Sequence, residues 1–309
     1  MTLRIIILSL IVVSLLSAQE TFDSTPSGGM IGISVGRIPE TELTARTGTY
    51  ESRWGSIHAS VPVHRSITLG EGDGTFQQFT LTGSLRRNTT YFTLLSGERV
   101  ISSGWLGGSW TSIGSSKNLY RLSASIGYTG ETDPGGSKTV RLRFLGLGTV
   151  HLSDPLLMIY GASFSALFGR DLLMPIVGLR WKINEEWSSS ILLPMALNVR
   201  YRAGSSVTFA LSVSASGDRV QTANRGDFPG AAGSLLWRIT GIRSLLRTHI
   251  ALADAFGLTV DLGAVSKRNL SLVSGSDVIL KEQLDASRYV SLGLQYRFDP
   301  DEHTSYTVE

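Results

Sequence analysis

Arginine and lysine recur at alternate positions through several strand-like windows of this chain, and a wall built of such cations selects anions. Arg141 and Arg143 alternate with Val140, Leu142 and Phe144. Arg180 and Lys182 alternate with Leu179, Trp181 and Ile183, and Arg200 and Arg202 with Val199 and Tyr201. Arg121 lies between Tyr120 and Leu122, Arg297 between Tyr296 and Phe298, and one acid, Asp261, between Val260 and Leu262. If the apolar neighbours meet lipid, these charges line a pore with net positive potential, suited to small anionic solutes. The alternative is structural. A lipid-facing arginine costs about 2–4 kcal/mol near the bilayer midplane, so an inward one is ordinary in a barrel. Pairing with loop acids such as Glu131, Asp133 or Asp227 would then plug the lumen.

Chemistry that makes or breaks covalent bonds finds little support. There are five histidines and no cysteine. His58 and His64 fall on the inward face of SIHASVPVH, but six residues of strand separate them by about 20 Å, too far for one metal ion. His151 with Ser153 and Asp154 supplies the residue types of acyl transfer, as in an outer-membrane lipid hydrolase. They adjoin in a turn, whereas a triad is defined by geometry. His249 lies in a stretch where helix and strand are hard to separate, and His303 is in the tail. Gly146-Leu147-Gly148 precedes no helix and is no phosphate loop. The NTT at Asn88 reads as loop. Trp181 and Trp187 flank the tight turn NEE and read as interfacial aromatics, with carbohydrate stacking as the alternative. No catalytic residue, metal ligand or cofactor is assigned, and the expectation is a protein that is not an enzyme.

The elements that must position the arginines are strands. SVTFALSVSA, from Ser206, puts Val207, Phe209, Leu211, Val213 and Ala215 on one face, and YRLSASIGY, FTLTGSL and LTVDLGA behave alike. Period-two alternation in window after window means half-buried strands. No amphipathic helix interrupts them, and LLRTHIALADAF is read as strand and turn. Tight turns (GEGDG, GSSKN, SDP, NEE, AGSS) alternate with longer connections: the region after Arg37, the stretch around Asn88, GETDPGGSK, FGRDLL and SGDRVQTANRGDFPG. Bacterial transmembrane barrels have this rhythm. A hairpin turn at Pro194, which lacks an amide donor for a paired strand, gives 14 strands. One unbroken strand from Trp187 to Arg202 gives an odd 13, and 12 is the fallback. The expectation is an all-β, antiparallel transmembrane barrel.

The two ends of the chain point to export. Arg4, the apolar run from Ile5 to Leu16 and Ser17-Ala18 before Gln19 read as a cleaved signal peptide, residues 1–18, because the run is too short to span a bilayer. A membrane anchor is the alternative. Disulfides and lipid attachment at cysteine are excluded. The net charge of +3, less Arg4, leaves +2, which gives no reason to expect nucleic acid as a partner. The 34 glycines, spread through the strands, suit a tightly curved sheet. The barrel is expected over residues 19–298. VSLGLQYRF, Val290 to Phe298, is a two-faced final strand that pairs with the first and removes the free edges of the sheet. Its Tyr296 and Phe298 are similar to the terminal signal read by the barrel assembly machinery, although the polar tail 299–309 follows them.

One stretch carries a further likeness. YGASFSALFGRDLLMPIVGLRWKINEEWSSSILLPMALNVRYRAGSSVTFAL, with its apolar proline loop, GLRW, tight turn with tryptophan and LLP, resembles an uncharacterised bacterial family of outer-membrane barrels, a domain of unknown function. The resemblance spans roughly Leu142 to Ser216. It implies a barrel in the outer membrane of a Gram-negative bacterium, in contact with its lipid, and supplies no catalytic residues. A porin-like passive or gated pore for small solutes is the leading functional expectation. A closed barrel serving as an envelope scaffold or a hydrophobic-ligand route is the alternative.

Overall fold

The computed structural model describes residues 28–44, 48–69, 74–95, 98–114, 118–132, 138–165, 171–231, 233–298 and 304–308. Residues 1–18, expected to be a signal peptide, Asp133 and His303 lie outside them. Sixteen strands follow in order: β1 (Gly29–Glu42), β2 (Thr49–Leu69), β3 (Gly74–Phe92), β4 (Arg99–Ile113), β5 (Leu119–Glu131), β6 (Lys138–Ser153), β7 (Leu156–Ser165), β8 (Leu172–Lys182), β9 (Trp187–Leu193), β10 (Ala196–Ala203), β11 (Val207–Ala223), β12 (Ser234–Ala251), β13 (Phe256–Ser274), β14 (Asp277–Leu284), β15 (Ser287–Phe298) and β16 (Thr304–Val308). No helix occurs among the described residues.

Neighbours in sequence pair antiparallel, and β1 pairs with both β2 and β15, so the sheet closes on itself. β14 runs beside Arg268–Ser274 of β13 and β15 beside Phe256–Val265, which makes the two one interrupted strand. With β16 outside the ring, the fold is a closed 14-stranded antiparallel barrel. The final strand does what its two-faced pattern required: Val290 to Phe298 pair residue by residue with Arg37 to Gly29. Closure leaves no sheet edge along that seam. The tail adds an element that alternation did not announce. β1 begins opposite Ser60, whereas β2 continues to Leu69, and β16 lies parallel to Arg65–Leu69.

Gly29 and Phe298 lie at one end of the barrel, with the turns after β6, β8, β10 and β12. The connections after β1, β3 and β11, and the tight Pro194-Met195 and Gly275-Ser276 turns, lie at the other; we call these the turn end and the loop end. Pro194 and Met195 form a hairpin turn between β9 and β10, as the proline required. LLRTHIALADAF is strand to Ala251 and then turn. Three local expectations are corrected. Asn88 lies inside β3 and is buried, because β3 runs on to Phe92. SGDRVQTANRGDFPG is mostly strand: β11 continues to Ala223 and the connection begins at Asn224. His64 is exposed, away from His58, because a bulge between Pro62 and His64 reverses the alternation and sets His64 opposite the outward Phe79.

The outer surface is the apolar face of the alternation. Ile31, Ile33, Leu106, Ile126, Val140, Leu142, Leu292 and Leu294 all project outward. At the turn end Trp187 packs on Tyr201 with ring centroids 4.6 Å apart, and Tyr296 sits 5.0 Å from Phe256 and 6.1 Å from Phe298. Trp181 and Trp187 are exposed there. An apolar band bordered by an aromatic ring suits a bilayer and its interface.

Candidate lumenal site

The inward face divides into two halves. Toward the turn end it is mostly small and polar, with Leu147 of β6 and Ile159 of β7 as buried apolar exceptions. Ser34 and Ser56 hydroxyls lie 2.7 Å apart, the Gln78 amide donates to Thr80 at 2.9 Å, and His249 Nδ1 lies 3.3 Å from Thr259 Oγ1 and 3.4 Å from Gln295. Ser123 and Ser125 on β5 are half-buried. Period-two placement forces this: each outward apolar residue leaves its neighbour to face the lumen, and the neighbours here are serine, threonine, glycine and glutamine.

The predicted cations sit on this wall at different heights. Arg121, Arg143, Arg180 and Arg200 are half-buried, and Arg141 is buried. Lys182 and Arg202 are exposed on β8 and β10 at the turn end, where register brings them close to Arg180 and Arg200 through β9. Arg297 is exposed one residue before the end of β15. Asp261 is buried and already engaged. Arg247 grips it in a fork of 2.7 and 3.0 Å, and the Ser291 hydroxyl donates to it at 3.1 Å. Arg200, Ala210, Arg247, Asp261 and Ser291 are successive partners across β10 to β15, so this ion pair lies in one row with Arg200.

A layer of paired arginines and aromatics lies between the halves and merges into the loop half at Tyr50, the register partner of Phe92. Arg86 stands 4.9 Å from the Trp54 ring centroid, Arg143 3.4 Å from Trp105, Arg243 5.1 Å from Tyr289 and Arg268 4.1 Å from Tyr50. Each such contact contributes about 0.5–2 kcal/mol, more as it is desolvated. Two glycines make the layer sterically possible. A Cβ at Gly36 would overlap the Trp54 ring, and one at Gly127 the Trp105 ring, so each indole lies flat across a neighbouring strand. Sequence reasoning missed Arg86, Arg243 and Arg268 and all four aromatics. The parity was available: Trp105 shares a face with Ser103 and Gly107, which marks it as inward.

Above this layer the loop end is filled. Ile38, Phe92, Ile101, Leu235, Trp237, Leu272 and Leu284 belong to one buried apolar cluster fed from all sides of the barrel. The connection after β11 folds onto it. Asn224 holds the connection's shape by donating to the Phe228 and Ala231 carbonyls at 3.0 and 3.3 Å, and both of those residues pack against the cluster. A buried charge network ties it down: Arg99 bonds Glu131 at 2.8 Å and Asp227 at 2.5 Å, with all three side chains at most 1% exposed. Glu131 also accepts from the Ala223 amide at 2.7 Å and from Arg225 at 3.3 Å. The structural alternative for the charges is thus partly realised, through Arg99 and, among the alternating arginines, through Arg141, which pairs with Asp171. Asn88, Thr90, Ser103 and Thr129, buried on β3 to β5 beside this network, carry polar atoms with no hydrogen-bond partner among the described residues. Such groups suit contact with water or a polar solute.

The residues of the acyl-transfer alternative lie on the exposed surface. His151 is exposed on β6, and the Ser153 and Asp154 beside it are exposed too. Among the described residues no three His, Cys, Asp or Glu side chains gather as a metal site.

No protein-family model matches the chain, and no curated protein matches it. Solved structures do. An outer membrane channel from Pseudomonas putida F1 is similar at 11% identity, covering 89% of this chain and 97% of that one, with a TM-score of 0.47. The translocator domain of an autotransporter from Neisseria meningitidis is similar at 11% identity, with coverages of 94% and 95% and a TM-score of 0.40. A mutant Rh. blastica porin is similar at 11% identity, with coverages of 87% and 98% and a TM-score of 0.35. All three are outer-membrane β-barrels.

Proposed function

We propose that this protein is a gated channel of a bacterial outer membrane that favours small anionic solutes and is held shut at its loop end. The observation that carries this reading is the charge of the inner wall. Arg86, Arg121, Arg143, Arg180, Arg200, Arg243 and Arg268 face inward and, among the described residues, outnumber the buried acids, which are Asp261 held by Arg247, Glu131 and Asp227 held by Arg99, and Glu282. In a low-dielectric tube this imbalance lowers the energy of an entering anion. The apolar belt with its aromatic ring supports a bilayer location, and the pairing of β15 with β1 supports Tyr296 and Phe298 as the segment read by barrel assembly machinery.

Planar-bilayer recording tests the reading. The native barrel should show rare openings with an anion-favouring reversal potential, and the bias should fall when Arg143 and Arg180 become Gln. Cation preference, or silence even after the Arg99 network is removed, would place the scaffold reading ahead.

A further inference from the structure

The barrel wall is not of even height. β2, β3 and β13 have 21, 19 and 19 residues, but β9 and β10 have 7 and 8. Seven residues at 3.4 Å, tilted by about 40°, rise only about 18 Å, short of an apolar band of about 25 Å. The β9–β10 hairpin therefore ends inside the hydrocarbon layer, and Leu193 at its tip is 64% exposed. Beyond it, among the described residues, two neighbours stand without ladders. β8 pairs with β9 only from Val177, leaving Leu172–Ile176, with Pro175, unpaired on that side. β11 pairs with β10 only up to Ser214, and its last strand residues have no strand partner there.

Side chains close this gap. The upper part of β11 leans across the barrel toward β5 and β6. Arg141 donates to the Arg219 carbonyl at 3.1 Å, Thr139 bonds Gln221 at 3.2 Å, and Glu131 accepts from the Ala223 amide. At the mouth of the gap the Asp171 carboxylate lies between two guanidinium groups, Arg141 at 3.0 Å and Arg219 at 2.5 Å. Beneath it Met174 and Ile176 of β8, Leu192 of β9 and Met195 of the hairpin turn are buried apolar side chains, and they belong to one cluster with Val220 of β11. A seam held by side chains opens by exchanging partners, without breaking a backbone ladder.

We propose that this seam is a lateral port for a fatty-acid-like amphiphile, a single acyl chain bearing a carboxylate. The chemistry of each part selects the occupant. Asp171 shows that a carboxylate fits between Arg141 and Arg219, and a ligand carboxylate entering there displaces it. Asp171 and Arg219 side chains are 29% and 32% exposed, so the exchange site is reachable. The apolar residues below accept the chain, and the outward Leu173, Val177 and Leu193 join them to the bilayer interior. This port goes beyond the anion channel proposed above and does not depend on it.

The test uses the full barrel in phosphatidylcholine nanodiscs with a photoactivatable diazirine palmitic acid, mapped by mass spectrometry. The expected result is labelling at Met174–Ile176 and Leu192–Met195 in excess over the outward surface at Leu106 and Leu292. Arg219→Gln should lower the label at the port several-fold, the diazirine analogue of the neutral alcohol should label it weakly, and a phosphatidylcholine carrying the diazirine should label only the outward belt. The chain has no cysteine, so Thr139→Cys with Gln221→Cys can be joined by a short bis-methanethiosulfonate linker. Joining should suppress port labelling and reductant should restore it, while heat-modifiable migration reports that the variant is folded. Port labelling no greater than belt labelling, equal labelling by alcohol or lipid, or indifference to the linker would overturn the port. Conductance read on the same linked barrel separates the two proposals, because an intact anion current with lost labelling leaves the channel standing.

Discussion

Replacing Arg99 by Met removes a buried charge while nearly keeping its volume, and it bears directly on how the loop end is held shut. Arg99 neutralises two carboxylates, Glu131 and Asp227, that are themselves at most 1% exposed. Removing one partner of a buried pair costs about 3–5 kcal/mol, because the remaining charge stays desolvated. Opening the loop end hydrates Glu131 and Asp227, so the cost falls on the closed state. At about 1.4 kcal/mol per decade, the closed-to-open ratio should fall by roughly two to three and a half orders of magnitude. Single-channel recording reads this as a change from rare openings to mostly open time. The triple variant with Glu131→Gln and Asp227→Asn should return toward native behaviour. A fully neutral set carries no stranded charge, and the carboxamide oxygen introduced by Glu131→Gln can still accept from the Ala223 amide. An Arg99→Met barrel with native open time, or a triple variant as open as the single one, would refute the argument that charge burial holds the gate.

Two further outcomes follow from particular contacts. Arg247→Met should lower barrel stability in urea unfolding by about 3–5 kcal/mol, because Asp261 keeps only the Ser291 hydrogen bond and the more distant charge of Arg243, and adding Asp261→Asn should recover most of the loss. Leu106→Arg, on an outward residue 65% exposed in the middle of β4, should cost about 2–4 kcal/mol in a bilayer, whereas Ser125→Arg on the half-buried inner face should cost less. Equal costs at the two positions, measured by the same unfolding assay, would mean that Leu106 does not meet lipid.

The fold was legible because each of its requirements leaves a local mark. Alternation gave the two faces, Pro194 placed the hairpin that makes the strand number even, and the two-faced final strand found its partner in β1. The candidate site was only half legible. Alternation assigns a face but neither a height along the barrel nor a partner across it, and Arg99 meets Asp227 across 128 residues of sequence. A single bulge at Pro62 was enough to turn His64 outward, since parity counts every residue. The inner aromatics were hidden by a general expectation: tryptophan and tyrosine belong at interfaces, and Trp54, Trp105 and Tyr289 instead lie under arginines. The shortness of β9 and β10 was visible once Pro194 was given a turn, but the lean of β11 that closes the resulting gap depends on contacts with β5 and β6 that no spacing reports.

The central claim is a polar, water-accessible inner wall that opens at the turn end and is sealed beneath the loops. Cysteine scanning along β5 in membrane-embedded protein tests it, because the native chain has no thiol. With a charged methanethiosulfonate reagent, cysteines at Ser123 and Ser125 should react, those at Leu122, Ala124 and Ile126 should not, and a cysteine at Thr129, 0% exposed within the plug beside the Arg99 network, should react only after Arg99→Met. Reaction without period two along this strand, or native reactivity at Thr129 equal to that at Ser123, would contradict the account.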